Sequence, residues 1–188
     1  MAWPSRDQAW EILNRYTNNP QLIKHALAVE AVMRAIAAKY GDDEDLFGLV
    51  GLLHDFDYER YPAVGQHTIE GGQILRAEGF PDRIITAIQS HVTENHIPRE
   101  GLLEKAIFAS DELTGFIVAV TLVRPEKQLS QVTPRSVMKK LKDKSFARGV
   151  NRQEVYDGVS ALGVDLEEFI GFIIEALKPH AESLGLNP

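Results

Sequence analysis

The fold of this chain is decided by one short stretch, Leu49-Val50-Gly51-Leu52-Leu53-His54-Asp55. It is an apolar helical segment that ends in an adjacent imidazole and carboxylate, the side chains that bind hydrolytic metal ions. A carboxylate at this end of a helix faces the negative pole of the helix dipole, so it needs a compensating cation. We therefore predict a metal centre here, with an arginine partner for Asp55 as the alternative.

Apolar residues recur at helical spacing along most of the chain, and no segment shows sustained period-2 alternation. Gly41 is a predicted C-cap, and Asn151 and Asp165 are predicted N-caps, each in a capping box with the glutamate three residues later, Glu154 and Glu168. The pattern predicts an all-α fold. Its predicted helices span residues 7–17, 20–40, 43–55, 67–78, 81–91, 102–123, 152–161 and 166–184, with two short helices inside 126–150.

A length of 188 residues predicts a single domain, 1–188. We divide it into a metal-binding core at about 20–123, a basic segment at 124–152 and C-terminal helices at 152–184. The formal net charge of −7 argues against generic nucleic-acid or membrane binding. The chain has no cysteine, which excludes disulfides, zinc ribbons and thiol catalysis.

The N-terminal residues lack the apolar core of a signal peptide. The longest apolar stretch, 116–123, is far shorter than the roughly 20 residues that a membrane helix needs. We therefore expect a soluble, cytoplasmic protein. Its oligomeric state stays open, a homo-oligomer included.

Other metal-ligand residues surround the His-Asp pair along the chain. His25 lies on a predicted helix beside a buried stripe, and His67 and His91 each lie near a helix end. Asp111 lies inside an apolar helix, where a buried carboxylate is costly unless it is paired or bound to metal. Taken singly, the histidines could equally be hydrogen-bonded or surface residues, so the joint pattern carries the prediction.

The order His…His-Asp…Asp, set on helices, resembles the HD superfamily of metal-dependent phosphohydrolases. The run 53–62, with His67, Gly71 and the run 87–91, is similar to a bacterial branch of predicted HD hydrolases. The resemblance implies an HD-domain helical bundle with additional C-terminal helices. It also implies a metal site of His25, His54, Asp55 and Asp111. In dinuclear HD enzymes two further histidines hold a second ion, which His67 and His91 match in order, with Asp55 as the bridge.

The expected reaction is hydrolysis of a phosphomonoester or phosphodiester by metal-activated water, with a nucleotide as the expected small phosphorylated substrate. A His/Asp ligand set favours one or two ions of Mn²⁺, Fe²⁺, Co²⁺, Ni²⁺ or Mg²⁺ over structural zinc. Asp57 and Glu59 follow the His-Asp pair closely, where several HD hydrolases place a catalytic carboxylate. The alternative for both is a solvated acidic loop.

The segment from Arg124 to Arg152 has nine cationic residues against two acidic ones, a net charge of +7. Arg124, Arg148 and Arg152 are the candidates to bind a substrate phosphate. The alternatives are a solvated face, or pairing with the acidic remainder or with a second subunit. Nucleic acid is disfavoured as a partner, because only Phe146 interleaves the lysines as a stacking residue.

Three other functions compete with the phosphohydrolase. A few HD proteins activate oxygen with the same ligands, which would make this a dinuclear-iron oxygenase. A non-catalytic nucleotide-binding regulatory module would keep the fold without turnover. A helical scaffold with incidental histidines would keep neither metal nor activity.

Overall fold

The computed structural model describes residues 3–187, and in this range every regular element is helical. The all-α prediction is confirmed. The Cα positions gather into two compact units, one running to Ile107 and the other beginning at Phe108. In the described residues, no helix is both long and apolar enough to cross a membrane. That the chain forms a single domain stays a prediction.

The first unit is built from five helices and the start of a sixth. Their bounds are α1 Arg6–Tyr16, α2 Pro20–Tyr40, α3 Glu44–Leu53, α4 Ile69–Ala77, α5 Asp82–Ser90 and α6 Leu102–Leu122. The second unit contains the rest of α6, then α7 Pro134–Leu141, α8 Arg152–Leu162, α9 Leu166–Leu177 and α10 Ala181–Leu184.

Helices α2 and α3 approach closely and carry the first metal-ligand candidates. A Cβ added to Gly51 would lie 2.9 Å from the Cα of Glu30, so the glycine lets the two backbones meet. Glu30 is buried and accepts hydrogen bonds from Arg6 at 2.7 and 2.8 Å and from Arg34 at 3.1 Å. This buried carboxylate, held by two guanidinium groups, ties α1 to α2.

The helix caps follow the sequence closely. Gly41 ends α2 in the left-handed conformation, with φ 71°. Asn151 and Asp165 cap α8 and α9 with their side-chain oxygens. These three predicted caps are confirmed because Gly, Asn and Asp satisfy the open backbone groups of a helix end.

Two predicted helices are shorter in the structure. Helix α3 ends at Leu53, before Asp55, and at this end the His54 ring contacts the Gly51 carbonyl. Helix α9 ends at Leu177, and a single 3₁₀ turn at Lys178–His180 follows. Pro179 explains this ending, since proline has no N–H and its ring clashes with the preceding turn.

The segment before α8 also differs from its prediction. Two short helices were predicted inside 126–150, and the structure has the α-helix α7 and a 3₁₀ turn at Leu129–Gln131. Helix α4 begins at Ile69 instead of His67. Thr68 precedes it in the left-handed conformation, with φ 64°, which interrupts the helix there.

Candidate metal centre

His54 follows α3 directly and is fully buried. Its Nδ1 lies 2.8 Å from the carbonyl oxygen of Gly51, one of the last carbonyls of the helix. A carbonyl only accepts, so Nδ1 carries a proton, and Nε2 is the nitrogen that remains for a metal ion. The helix end therefore fixes the orientation of this ring, and hydrogen bonds to the nitrogen that does not bind metal orient metal-binding histidines in the same way.

His91 repeats this arrangement at the end of α5. It is the C-cap residue, it is buried, and its Nδ1 lies 2.6 Å from the carbonyl oxygen of Ile88. In both cases the accepting carbonyl lies three residues before the histidine, where a helix end leaves carbonyls without backbone partners. His91 therefore also directs its Nε2 away from its own helix.

His67 is oriented by a side chain instead. Its Nδ1 lies 2.9 Å from Oδ1 of Asp57, a carboxylate that is completely buried. The other oxygen of Asp57 accepts from the N–H groups of Thr68 at 2.8 Å and Gly71 at 3.0 Å. Asp57 is thus fixed by the backbone at the start of α4, and it fixes His67 in turn.

The carboxylate of Asp55 lies among four histidines and divides them into pairs. Its Oδ1 is 3.1 Å from Nε2 of His67 and 3.4 Å from Nε2 of His91. Its Oδ2 is 3.5 Å from Nε2 of His54 and 3.9 Å from Nε2 of His25. Each oxygen therefore faces its own pair of imidazoles, as a bridging carboxylate does.

The donor atoms lie close enough together to share a cation. Nε2 of His54 lies 3.2 Å from Nε2 of His25. Nε2 of His91 lies 3.4 Å from Oδ1 of Asp55. The ligand atoms of Asp55, His67 and His91 lie within 4.8 Å of one another, as do those of His25, His54 and Asp55. Imidazole nitrogens with a carboxylate oxygen fit a divalent transition metal.

The electrostatics of the centre depend on these same contacts. Burial alone would raise the pKa of the Asp55 carboxyl, but the imidazoles of His54, His67 and His91 outweigh it and hold the pKa well below its ordinary value. Burial alone would lower the pKa of His67, but hydrogen bonds to Asp55 and Asp57 raise it to about 10. Without a metal, His67 is therefore an imidazolium at neutral pH.

Asp111 lies on α6, at a partly buried position. It belongs to the residues of the second unit, while the five other candidate ligands belong to the first. Its role as the fourth ligand of one ion stays a prediction.

The two other carboxylates near the His-Asp pair have defined partners. Asp57 holds His67, as described above. The carboxylate of Glu59 accepts from the N–H of Asn18 at 2.7 Å and of Asn19 at 2.9 Å, at the start of α2. These hydrogen bonds, that from Asn19 first, lower the pKa of Glu59. A catalytic proton role for Asp57 and Glu59 stays a prediction, and their contacts favour orienting and structural roles.

The three predicted substrate-binding arginines lie in different surroundings in the second unit. Arg124 lines a cavity beside α7, and Arg148 is exposed in the turn before α8. The Arg152 guanidinium donates to backbone carbonyls and lies over the ring of Phe116. Its carbonyl partners are those of Leu141, Asp143, Phe146, Ala147 and Val150. Substrate contact stays a prediction for all three, and these bonds favour a structural role for Arg152.

Sequence reasoning missed the groups that orient the ligands. Gly71 had a signal only through the family resemblance, yet a Cβ there would lie 2.6 Å from Oδ2 of Asp57. The carbonyls of Gly51 and Ile88 have a weak signal, since His54 and His91 each end a predicted helix. A histidine at a helix end can bond the carbonyls of the last turn, and that rule would have found both contacts.

Comparison with known protein families matches residues 22–141 to the HD domain. The match spans more than half of the chain. The chain belongs to the HD domain family. The resemblance to the HD superfamily, which the His-Asp pair indicated, is confirmed.

Curated relatives share only part of their length with this HD domain protein. A tRNA (cytidine(56)-2'-O)-methyltransferase of Thermoplasma volcanium is 30% identical over 89 residues, which are 47% of this chain and 26% of the relative. A ribonuclease Y of Desulfotalea psychrophila is 30% identical over 105 residues, 54% of this chain and 19% of the relative. The chain thus spans about a quarter or less of these relatives.

Solved structures agree on the fold. The HD domain of the L. monocytogenes phosphodiesterase PgpH matches with a TM-score of 0.54 and 16% identity, covering 96% of this chain and 100% of that one. The same domain in complex with cyclic-di-AMP matches with a TM-score of 0.53 and 17% identity, covering 97% and 100%. At these identities the likeness shows the HD fold and nothing finer.

Proposed function

We propose that this protein is a metal-dependent phosphohydrolase that holds two divalent ions and cleaves a phosphodiester or phosphomonoester of a nucleotide. The observation that carries the proposal is the division of four histidines between the two oxygens of Asp55. When bound, two such ions supply activated water at neutral pH and offset the negative charge of a phosphoryl group. Which metals they are stays open among Mn, Fe, Co, Ni and Mg.

The chain's own contribution is orientation. His25 and His54, with Asp111 as the predicted fourth member, form one ligand set with Oδ2 of Asp55. His67 and His91 form the other with Oδ1. Fixed Nδ1 contacts on His54, His67 and His91 keep each Nε2 directed at the centre before any ion arrives, which reduces the entropy lost when an ion binds.

Two related proteins support a nucleotide substrate. The PgpH domain binds cyclic-di-AMP in one of its structures, and one curated relative is named a ribonuclease. Both names concern phosphodiesters of nucleotides. A linear or cyclic dinucleotide is therefore the first natural substrate to test, after the general substrates bis-p-nitrophenyl phosphate and p-nitrophenyl phosphate.

The test begins with metal content per chain, measured by elemental mass spectrometry on tag-free protein purified without chelator. We expect about two ions in the wild type, none in Asp55→Asn and one in His67→Ala, because Asp55 serves both ligand sets and His67 serves one. His180→Ala is the matched control. His180 is an exposed histidine of the second unit, and its replacement should leave the count unchanged.

Activity is then measured with the metal found. Phosphoester hydrolysis that disappears in Asp55→Asn, with unchanged helical circular dichroism, would support the proposal. A fully loaded protein that hydrolyses no phosphoester in any of the five metals would refute it and favour a nucleotide-binding regulatory module. An unchanged metal count in His67→Ala would refute the second ion alone.

A further inference from the structure

A cavity of about 300 Å³ lies in the second unit, between the end of α6 and α7. Its charged lining residues are three cations, Arg124, Lys139 and Lys140, and one carboxylate, Asp143. This positive lining is notable in a chain whose net charge is −7. None of the predicted metal ligands lines it, so the cavity is a feature separate from the ligand set.

Lys140 and Asp143 are already paired with each other. Nζ of Lys140 lies 3.7 Å from Oδ2 of Asp143 and 4.8 Å from the ring centre of Phe146. Asp143 also accepts from the hydroxyl of Ser145 at 2.6 Å and from its N–H at 3.0 Å. The uncompensated charges of the lining are therefore those of Arg124 and Lys139.

Arg124 has a donor that the described chain does not satisfy. Its Nε is buried, and within residues 3–187 it has no hydrogen-bond partner. A buried donor on a charged group without an acceptor is costly. The planar guanidinium matches the oxygens of a phosphate group, which can take two parallel hydrogen bonds. An anion in the cavity would supply the acceptor that this side chain lacks.

The rest of the lining is Ser136 and two valines. Val120 lies on the last turn of α6, and Val123 directly follows the helix and is 57% exposed although it is a valine. We propose that this cavity binds a phosphorylated small molecule, whose phosphate contacts Arg124 and Lys139 and whose apolar part covers Val123. The site goes beyond the proposed reaction, because nothing in it requires the metal centre.

The test is isothermal titration calorimetry on the full chain carrying Asp55→Asn, treated with chelator so that phosphate cannot bind metal. The probes are inorganic phosphate, adenosine 5′-monophosphate and adenosine. We expect the monophosphate to bind at least about tenfold more tightly than adenosine, because only it brings the charged acceptor. Inorganic phosphate should bind more weakly than the monophosphate, since it lacks the apolar part.

Matched variants place the binding at the cavity. Arg124→Gln should weaken monophosphate binding by about tenfold or more. Lys139→Gln gives a second variant, at an exposed position that does not endanger folding. The control is Arg135→Gln: Arg135 lies on α7 and is 94% exposed, and it does not line the cavity, so binding should stay within about twofold.

Three results would overturn the proposal. The first is equal binding of adenosine and its monophosphate, and the second is an equal loss in the Arg124 and Arg135 variants. The third is a short single-stranded RNA that binds far more tightly than the monophosphate, with a steep salt dependence, because the cations would then belong to a nucleic-acid surface. All three tests use the Asp55→Asn variant without metal. Their outcome is therefore independent of whether the protein hydrolyses a phosphoester.

The phosphate could come from the substrate itself or from a separate effector, and kinetics separates the two sources. With metal-loaded enzyme, Arg124→Gln should raise KM if the cavity holds the substrate's phosphate. If the ligand is an effector, Lys139→Gln should keep KM and kcat and lose only the response of the rate to added monophosphate.

Discussion

The histidine cluster of the first unit and the basic segment of the second are both rich in charged or polar side chains, yet they are built differently. In the cluster, three rings have Nδ1 fixed by a neighbour and Nε2 directed at one carboxylate. In the basic segment, Arg152 is surrounded by carbonyl acceptors, and Arg124 lacks an acceptor for its Nε among residues 3–187. The residue types His and Asp were enough to find the cluster. The residue type Arg did not separate Arg124 from Arg152, because their guanidinium groups have opposite surroundings.

The sharpest test of this difference is stability. Arg152 donates hydrogen bonds to several backbone carbonyls between the end of α7 and the start of α8. Arg152→Met leaves these carbonyls without that donor, so the free energy of unfolding should fall by about 2–4 kcal/mol. Arg124→Met removes a donor whose Nε is unsatisfied, so the free energy should change by less than about 0.5 kcal/mol.

Urea denaturation followed by circular dichroism measures both variants. Equal losses would mean that the two arginines are not distinguished by their contacts. A loss of stability in Arg124→Met alone would mean that Arg124, and not Arg152, has the contacts that stabilise the fold.

A smaller effect is expected from Asp57→Asn, which tests the orientation of the cluster. The amide oxygen can still accept from Thr68 and Gly71, which places the amide NH₂ against Nδ1 of His67. Nδ1 must then accept, so Nε2 carries the proton and cannot bind metal. Affinity for the second ion should fall by about 10–100-fold.

Competition with a metal-sensitive dye measures this affinity in the folded variant. The first ion serves as the internal control, because its predicted ligands do not contact Asp57. A second ion that binds as tightly as in the wild type would show that Asp57 does not act through His67.

The smallest effect is the displacement of one proton. The pKa of His67 is raised to about 10 in the metal-free protein, so at pH 8 the ring is protonated, and it must be neutral to bind metal. Metal loading at pH 8 should release about one proton from His67. The direction of the effect follows from the raised pKa. Well above pH 10 the ring is already neutral, so metal loading there should release no proton from it.

Calorimetry in two buffers of different ionisation enthalpy counts the released protons. The same titration of His67→Ala should show about one proton fewer. A release that is unchanged in this variant would assign the proton to another group.

The elements of the fold could be read from the sequence because they depend on local chemistry. Caps such as Gly41 and Asn151 satisfy backbone groups of their own helix, and apolar spacing marks the buried faces. The candidate ligands were also readable, since imidazole and carboxylate side chains are few and their order is specific. Asp57 was recognised as a residue of interest, but its role depends on the N–H groups of Thr68 and Gly71, which come from a turn that no periodicity reveals.

The basic segment shows the opposite limit. Charge counting found it, but could not say which arginine meets carbonyls and which meets a cavity, because that depends on the path of the loop after α7. The contact that orients His54 has a similar limit. A ring nitrogen meets a backbone carbonyl at the end of α3, and helix propensity does not register such a contact.

The lack of space beside Gly71 limits which substitutions can evolve at this position. Every amino acid that a single base change can make from a glycine codon carries a Cβ, and a Cβ at this position would lie 2.6 Å from a carboxylate oxygen that two backbone N–H groups hold in place. None of those replacements fits unless Asp57 moves and His67 turns with it. A lineage that keeps the contact between Asp57 and His67 therefore has no single-step substitution open at this codon, although the glycine is not one of the predicted ligands.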